Sequence, residues 1–335
     1  MQQNQHWSSL KERGNMFGIQ CLVFVYKVFG KWLFQVCLFP VMLYFYLTGH
    51  IARHAAKDYW LQIEKTQNLP QSSGFTLHRH AFKIFITFGL AIVDKFDAWL
   101  GKIHIDDIEI MNGECYDKLT SSKGAVILSA HLGNMEICRA IFSSGANKKK
   151  LNVITYNEHA PSFNNFLKRI NPEAAINFIH VNNFGPDDTI MLKQKIDDGE
   201  AVVIFADRTS VNNPESVKFV PFLSKPAPIA LGPFALATIM ECPVFFMTCL
   251  KDSNSGRYQT YIEEFAEPIK VKRKERQEYF QSLMAKYTQR LGHYCLKAPY
   301  QWNNFFDFWR ANEASEPEQT KQKTTEQKKD KAGVN

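Results

Sequence analysis

The stretch AVILSAHLGNMEICRAI (residues 125–141) decides how the rest of the chain is read. It opens as a short unbroken apolar run, the pattern of a strand buried on both faces. It then stops at His131, with Glu136 five residues further on. On an ideal helix, positions five apart lie roughly 140° apart around the axis, so the two side chains would face different ways. They can cooperate only if His131 precedes the helix, on a strand-to-helix turn. Gly133 suits a tight turn there, and Asn134 suits the cap of a helix that carries Glu136. The first-turn amides of such a helix would point at a bound or developing anion.

The same pattern recurs downstream. The runs GAVILSA (124–130), LNVITY (151–156), AINFIHV (175–181), AVVIFAD (201–207), CPVFFMTCL (242–250) and YQTYIEEF (258–265) read as strands. They alternate with helical stretches near 134–146, 161–170, 188–198 and 229–240. Alternation at this spacing implies an α/β fold, a mostly parallel central sheet covered by helices. Active groups in such folds collect at the carboxyl ends of strands. Asp207 follows AVVIFA as His131 follows AVILSA, so two equivalent strand ends predict one site.

At 335 residues and 45% hydrophobic, the chain is large enough for a substantial core. Its 27 phenylalanines supply rings for a lipid-facing groove as well as for packing. The formal charge is +7, and the polar tail is balanced, with five Lys against five acidic residues over 313–335, so the excess lies in the body. A basic body suits an anionic membrane surface, an acidic protein or a phosphate-bearing substrate. No nucleic-acid partner is expected, because no reading motif is recognisable. Seven cysteines without a C-x-x-C pair argue for a reducing compartment and against a disulfide framework.

The first 18 residues, MQQNQHWSSLKERGNMFG, are too long and polar for the n-region of a signal peptide. Two apolar stretches, MFGIQCLVFVY and WLFQVCLFPVMLYFYLTG, follow, separated by KVFGK. Trp32–Gly49 is uncharged throughout, a marginal length for a bilayer span. Both flanks are basic, with Lys27 and Lys31 before and Arg53 and Lys57 after, and a single span would leave positive charge outside. The reading is therefore a shallow hairpin or interfacial anchor over residues 1–60, with a buried core helix as the alternative. A domain over 61–311 follows, and then a disordered polar tail over 312–335.

Mechanistically, a neutral His131 can take a proton from a hydroxyl as it attacks an acyl carbonyl, and a carboxylate on the far ring nitrogen fixes the tautomer. Spacing alone equally fits a hydrogen-bonded turn histidine beside a surface glutamate. No G-x-S-x-G elbow accompanies Ser129, and no Walker or dinucleotide glycine pattern occurs. His50 and His54 lack the glutamate of H-E-x-x-H, and His78 and His80 lack nearby cysteines or carboxylates, so no metal site is expected. The NKKK run (147–150) reads as a solvated turn or a contact for an acidic carrier protein.

SAHLGNMEICRA resembles the H-x-x-x-x-[DE] block of the glycerolipid acyltransferase superfamily, specifically that of the lipid A biosynthesis (late) acyltransferases. YNEHAPSFNNFLKRIN, GEAVVIFADRTS, VKFVPFLSKPAPIALGPFALATIMECPVFF and APYQWNNFFDFW are similar to further blocks of that family, in the same order. The resemblance covers about residues 7–310. It implies a membrane-anchored O-acyltransferase at the cytoplasmic face of a bacterial inner membrane. The acyl donor would be an acyl carrier protein thioester or acyl-CoA, the acceptor a lipid or glycolipid hydroxyl, and no cofactor is needed. Carried over by position, His131 becomes the general base and Glu136 its orienting partner. Asn134, Arg169, Asp207, Arg208 and Phe222 become substrate-binding residues, with Lys168 an alternative for Arg169. Asp207-Arg208-Thr209 departs from the usual Asp followed by Gln or His, and the ending NNFFDFW lacks the family's basic residues. The opening HWSSLKERG resembles relatives linked to aryl polyene-type lipids, so a non-lipid A acceptor is a second expectation. A lipid-binding scaffold without catalysis is a third.

Overall fold

The computed structural model describes residues 16–143, 148–155, 165, 176–181, 184–209 and 216–309. The expected anchor is one long helix, α1 (Met16–Thr48), whose backbone breaks at Gly30 (φ 76°, ψ 178°), inside the KVFGK spacer. Two helices follow, α2 (His50–Thr66) and α3 (Gly74–Trp99). Strand β1 (Ile108–Ile110), helix α4 (Gly113–Ser121) and strand β2 (Ala125–Ser129) lead to helix α5 (Cys138–Ser143). Next come β3 (Leu151–Thr155), β4 (Ile176–His180), α6 (Pro186–Asp197) and β5 (Ala201–Phe205). A hairpin of β6 (Val217–Phe222) and β7 (Lys225–Ala230) precedes α7 (Gly232–Ile239). The chain then forms β8 (Val244–Lys251), β9 (Tyr258–Ala266) and α8 (Arg276–Lys297).

Seven strands form one sheet in the order β1-β9-β8-β2-β5-β3-β4, and every neighbouring pair is parallel except β8–β9. The continuous apolar runs follow from cover on both faces. Val126, Leu128, Val202, Ile204 and Phe246 enter one core layer, while their neighbours Ala125, Ile127, Ala201, Val203, Phe245 and Met247 enter the other. The segment VPFLSKPAP forms most of the β6–β7 hairpin, turning at Leu223 (φ 53°). Its prolines are tolerated because a two-stranded ribbon consists only of edges.

Helix α1 is attached to the domain from Tyr26 to Tyr46. Tyr26, Phe34, Leu38, Met42 and Tyr46, spaced by multiples of four, form a buried stripe. Gly89 of α3 permits the close approach: a Cβ there would lie 2.7 Å from Met42 Sδ and 2.9 Å from Leu38 Cδ2. The outer face is left bare, with Trp32 at 75% exposure and Phe39, Tyr44 and Leu47 above half. Val28–Thr48 is long and apolar enough to cross a membrane.

Polar contacts clamp the same helices to the sheet. Asp94 of α3 is buried and accepts Lys31 Nζ of α1 at 2.8 Å, Lys251 Nζ of β8 at 2.6 Å and Tyr258 Oη of β9 at 2.6 Å. Asp97 accepts Lys31 Nζ at 2.8 Å and the Tyr26 hydroxyl. Burial alone would raise the pKa of Asp94, but the bonds from Lys251, Lys31 and Tyr258 outweigh it and hold the carboxyl below its ordinary value. Asp94 therefore adds stability above the ordinary carboxylate range, lost as pH falls through the depressed folded value. Both lysines are about two-fifths exposed and can turn to water, whereas Tyr258 is buried and would lose its acceptor. Asp94→Ala is accordingly expected to cost about 1–3 kcal/mol in urea unfolding at neutral pH, and less below pH 3.

Candidate active site

Strands β2 and β5 pair in parallel with Ser129 opposite Phe205, so His131 and Asp207 each lie two residues beyond matched positions. Ala206 N–H donates to Ser129 O at 3.0 Å, which carries the register past the strand ends. Asp207 Oδ1 then meets His131 Nδ1 at 2.8 Å, and Oδ2 accepts the His131 backbone N–H at 2.9 Å. Trp302 Nε1 donates to Oδ2 at 3.1 Å. The Phe205 ring lies 4.7 Å from the imidazole.

This arrangement corrects the expected pairing. Asp207, not Glu136, occupies the inner nitrogen of His131, because the parallel register brings a carboxylate 76 residues away into contact. Glu136 sits in a single 3-10 turn (Met135–Ile137) and accepts Trp99 Nε1 at 3.4 Å. Asn134 occupies the cap position of that turn, but its side-chain amide donates to Ala91 O of α3 at 3.0 Å and makes no capping bond. Ser129 is fully buried and donates to Met247 O at 2.8 Å, which removes it as a nucleophile.

The remaining expected residues divide. Arg208 is aimed by two bonds, to Asn304 Oδ1 at 3.1 Å and Asn303 O at 3.3 Å, and lies 4.4 Å above the Phe306 ring. Phe222 is buried edge-on to Trp302 at 5.3 Å and stacked near Trp309. It reaches the His–Asp pair only through Trp302, while lining a groove of about 420 Å³ with Leu223, Gly292 and Leu296. Arg169 and Lys168 lie outside the described residues. In the NKKK run, Asn147 lies outside them too. Lys149 is buried on Ser122 O and Gly199 O, so it does not belong to a solvated turn, while Lys148 and Lys150 are exposed, the latter 3.6 Å from Glu200.

Electrostatics set the protonation states. Burial alone would raise Asp207, but His131 and Arg208 outweigh it and hold the carboxyl well below the usual carboxylate range. Desolvation lowers the pKa of His131; Asp207 opposes this, while Arg208 and Lys95 of α3 reinforce it, and the net direction is downward. The imidazole is therefore neutral at pH 7. Its side chain is 37% exposed, and Nε2 has no hydrogen-bond partner among the described residues. A neutral histidine with a carboxylate on one nitrogen and the other free has the chemistry to accept a proton from a hydroxyl. Lys95 and Trp302 were not singled out as site residues above. Lys95 carries no motif, and Trp302 was visible only as part of the closing APYQW segment.

The loop after His131 is stitched down from two sides. Gly133 N–H donates to Gln301 O and Asn134 N–H to Cys249 O, while Asn303 N–H donates to His131 O, all at 2.8–2.9 Å. Gly133 has φ 73°, and a Cβ there would lie 2.0 Å from Cys249 O. Gly133→Ala combines a left-handed backbone with a backbone collision. The expected cost is about 2–4 kcal/mol, measured by urea unfolding, with activity lost beyond what the unfolded fraction explains.

Comparison with known proteins bears on the chemistry. Residues 81–311 match the family of bacterial lipid A biosynthesis acyltransferases. A search of curated proteins finds no match. The matched region spans more than half of the chain and contains His131, Asp207 and Trp302, and the chain therefore belongs to the bacterial lipid A biosynthesis acyltransferase family and is an acyltransferase.

Proposed function

We propose that this acyltransferase moves a fatty acyl group from a thioester to a hydroxyl of a lipid or glycolipid acceptor, with His131 as the general base. The observation that carries the reading is the 2.8 Å contact between His131 Nδ1 and Asp207 Oδ1, at the ends of two neighbouring parallel strands. Nε2 takes the proton of the acceptor hydroxyl as its oxygen attacks the thioester carbonyl. Asp207 stabilises the resulting imidazolium. The tetrahedral intermediate collapses with cleavage of the C–S bond, and the proton on Nε2 passes to the departing thiolate. One ester and one thiol result, with no acyl-enzyme and no cofactor. The positive field of Lys95 and Arg208 favours the oxyanion of the intermediate.

The donor is an acyl carrier protein thioester, with acyl-CoA as the second candidate. The apolar outer face of α1 supports attachment to the inner membrane, with the domain at its cytoplasmic face. Packing against α3 favours the interfacial arrangement over a free-standing span.

The direct test is mass spectrometry of total membrane lipids from cells expressing wild type or His131→Ala at matched levels. One lipid class gaining an acyl mass with wild type alone supports the reading and identifies the acceptor. Identical lipid profiles, in a host with a suitable acceptor pool, overturn direct acyl transfer to host lipids.

The pH profile separates the two carboxylates. In wild type, the acid limb of kcat/KM is expected below the ordinary histidine value, since the His131 pKa is depressed. Asp207→Asn removes the charge that favours the imidazolium, so this limb moves to still lower pH while kcat falls about 10²–10⁴-fold. Glu136→Gln leaves the position of the limb unchanged whatever it does to the rate. A limb that follows Glu136 instead would assign the partner role to that residue.

A further inference from the structure

A group of cations lies at the point where the exposed apolar face of α1 ends. Arg53 and Lys57 come from α2 and Arg79 from the first turns of α3, with the His78 ring beside Lys57. Arg79 lies sixteen residues from Lys95 on the same helix, roughly 24 Å along its axis.

The cations there are paired with imidazoles rather than with carboxylates. Lys57 Nζ lies 2.7 Å from His78 Nε2, and Arg53 Nη2 lies 2.7 Å from His50 Nδ1. Lysine and arginine only donate, so both of these ring nitrogens are acceptors. His78 is therefore a neutral ring whose Nδ1–H donates to Tyr46 Oη at 2.8 Å, while the Tyr46 hydroxyl donates to His78 O at 3.2 Å. Arg53 Nη1 is bound to the carbonyls of Tyr46 and Leu47 at the end of α1. The nearby carboxylates are engaged elsewhere. Asp58 accepts Gln62, Glu64 accepts Trp60 and Ser72, and Asp307 lies 3.1 Å from His54. Among the described residues, none of Arg53, Lys57 and Arg79 forms an ion pair with a carboxylate. Partial burial lowers the pKa of both Lys57 and His78 below their ordinary values, and the positive charge of Arg53 adds to the effect at each.

The surroundings indicate the missing anion. Phe75 is 84% exposed and lies three and four residues before His78 and Arg79, on the same side of α3. Tyr44 and Leu47, each 58% exposed, close the outer face of α1 beside Arg53. Bare apolar side chains bordered by uncompensated cations match the boundary between acyl chains and headgroups.

We infer that Arg53, Lys57 and Arg79, with His78 positioning the Lys57 ammonium, form a binding site for the phosphate of an anionic membrane lipid, with Phe75 and the outer face of α1 seated among the acyl chains beneath it. The inference rests on the membrane attachment proposed above and gives it a chemical address. The occupant is a bilayer lipid rather than the acyl acceptor, because the cluster borders Phe75 and the bare apolar face of α1, where the acyl chains of the bilayer would lie.

The test is flotation of the full-length protein with vesicles of phosphatidylcholine, with and without phosphatidylglycerol. Wild type is expected to partition to both and to favour the anionic vesicles about tenfold or more. Lys57→Gln combined with Arg79→Gln is expected to abolish most of that preference while leaving binding to neutral vesicles intact. A matched change at the exposed pair Lys272 and Arg273, both to Gln, is expected to preserve it. If the double variant unfolds early, Arg79→Gln alone, at an exposed side chain, carries the test with about half the effect on a logarithmic scale. Equal losses in the cluster variant and the control show diffuse attraction and overturn the site. A cluster variant indistinguishable from wild type overturns it too, leaving membrane attachment standing. Wild type that floats with neither vesicle overturns both.

Discussion

Asp207 is a carboxylate removed from water with both oxygens committed: one to the imidazole of His131, the other shared between the His131 backbone N–H and the Trp302 indole. A buried charge is tolerable only when partnered in this way, because an unpaired one costs more than most single interactions return. The rest of the site follows from satisfying it. Matched strand lengths in β2 and β5 supply the geometry. The closing segment after α8 supplies the indole, and Phe222, Phe308 and Trp309 hold that indole in place. A carboxylate bonded to both the backbone and the ring of one residue fixes where the histidine is and which way it faces.

Much of this was legible in the sequence, and the reasons are specific. All six runs are strands, and those of β2, β5 and β8 are unbroken apolar sequence because they lie in the sheet interior with cover on both faces, while β9, antiparallel to β8, alternates. The shared strand-end position of His131 and Asp207 was legible too, since each follows its run at the same offset. The pairing of those residues was not. Sequence proximity favours Glu136 as the partner of His131, and only the register between two strands 76 positions apart reveals Asp207. The β6–β7 hairpin was hidden by Pro221, Pro226 and Pro228, which weaken a strand signal everywhere except at an edge, and by a turn without glycine at Leu223. The run at 148–150 looked like free surface charge, yet Lys149 is buried with its ammonium on two carbonyls, a contact that composition cannot announce.

The amino-terminal helices show how an apolar surface helix becomes part of a domain. Gly89 brings α1 and α3 together, the aromatic stripe of α1 fills the seam, and Asp94 and Asp97 bind lysines from the helix and from the sheet. The sheet, His131 and the exposed face of α1 are thereby held as one framework. A helix that only tethered the domain would need neither the glycine nor the buried carboxylates.

The stitching of the His131 loop by Gln301, Trp302 and Asn303 also has a temporal side. In synthesis from the amino terminus, α1 emerges before His131 and Asp207, and both emerge well before residue 302. Until that last segment arrives, Asp207 lacks its indole donor and the backbone around Gly133 lacks partners on one side. Helix α1 is thus formed from chain that precedes every part of the His131–Asp207 pair, and a chain cut short before Trp302 would keep that helix while leaving Asp207 without its indole donor.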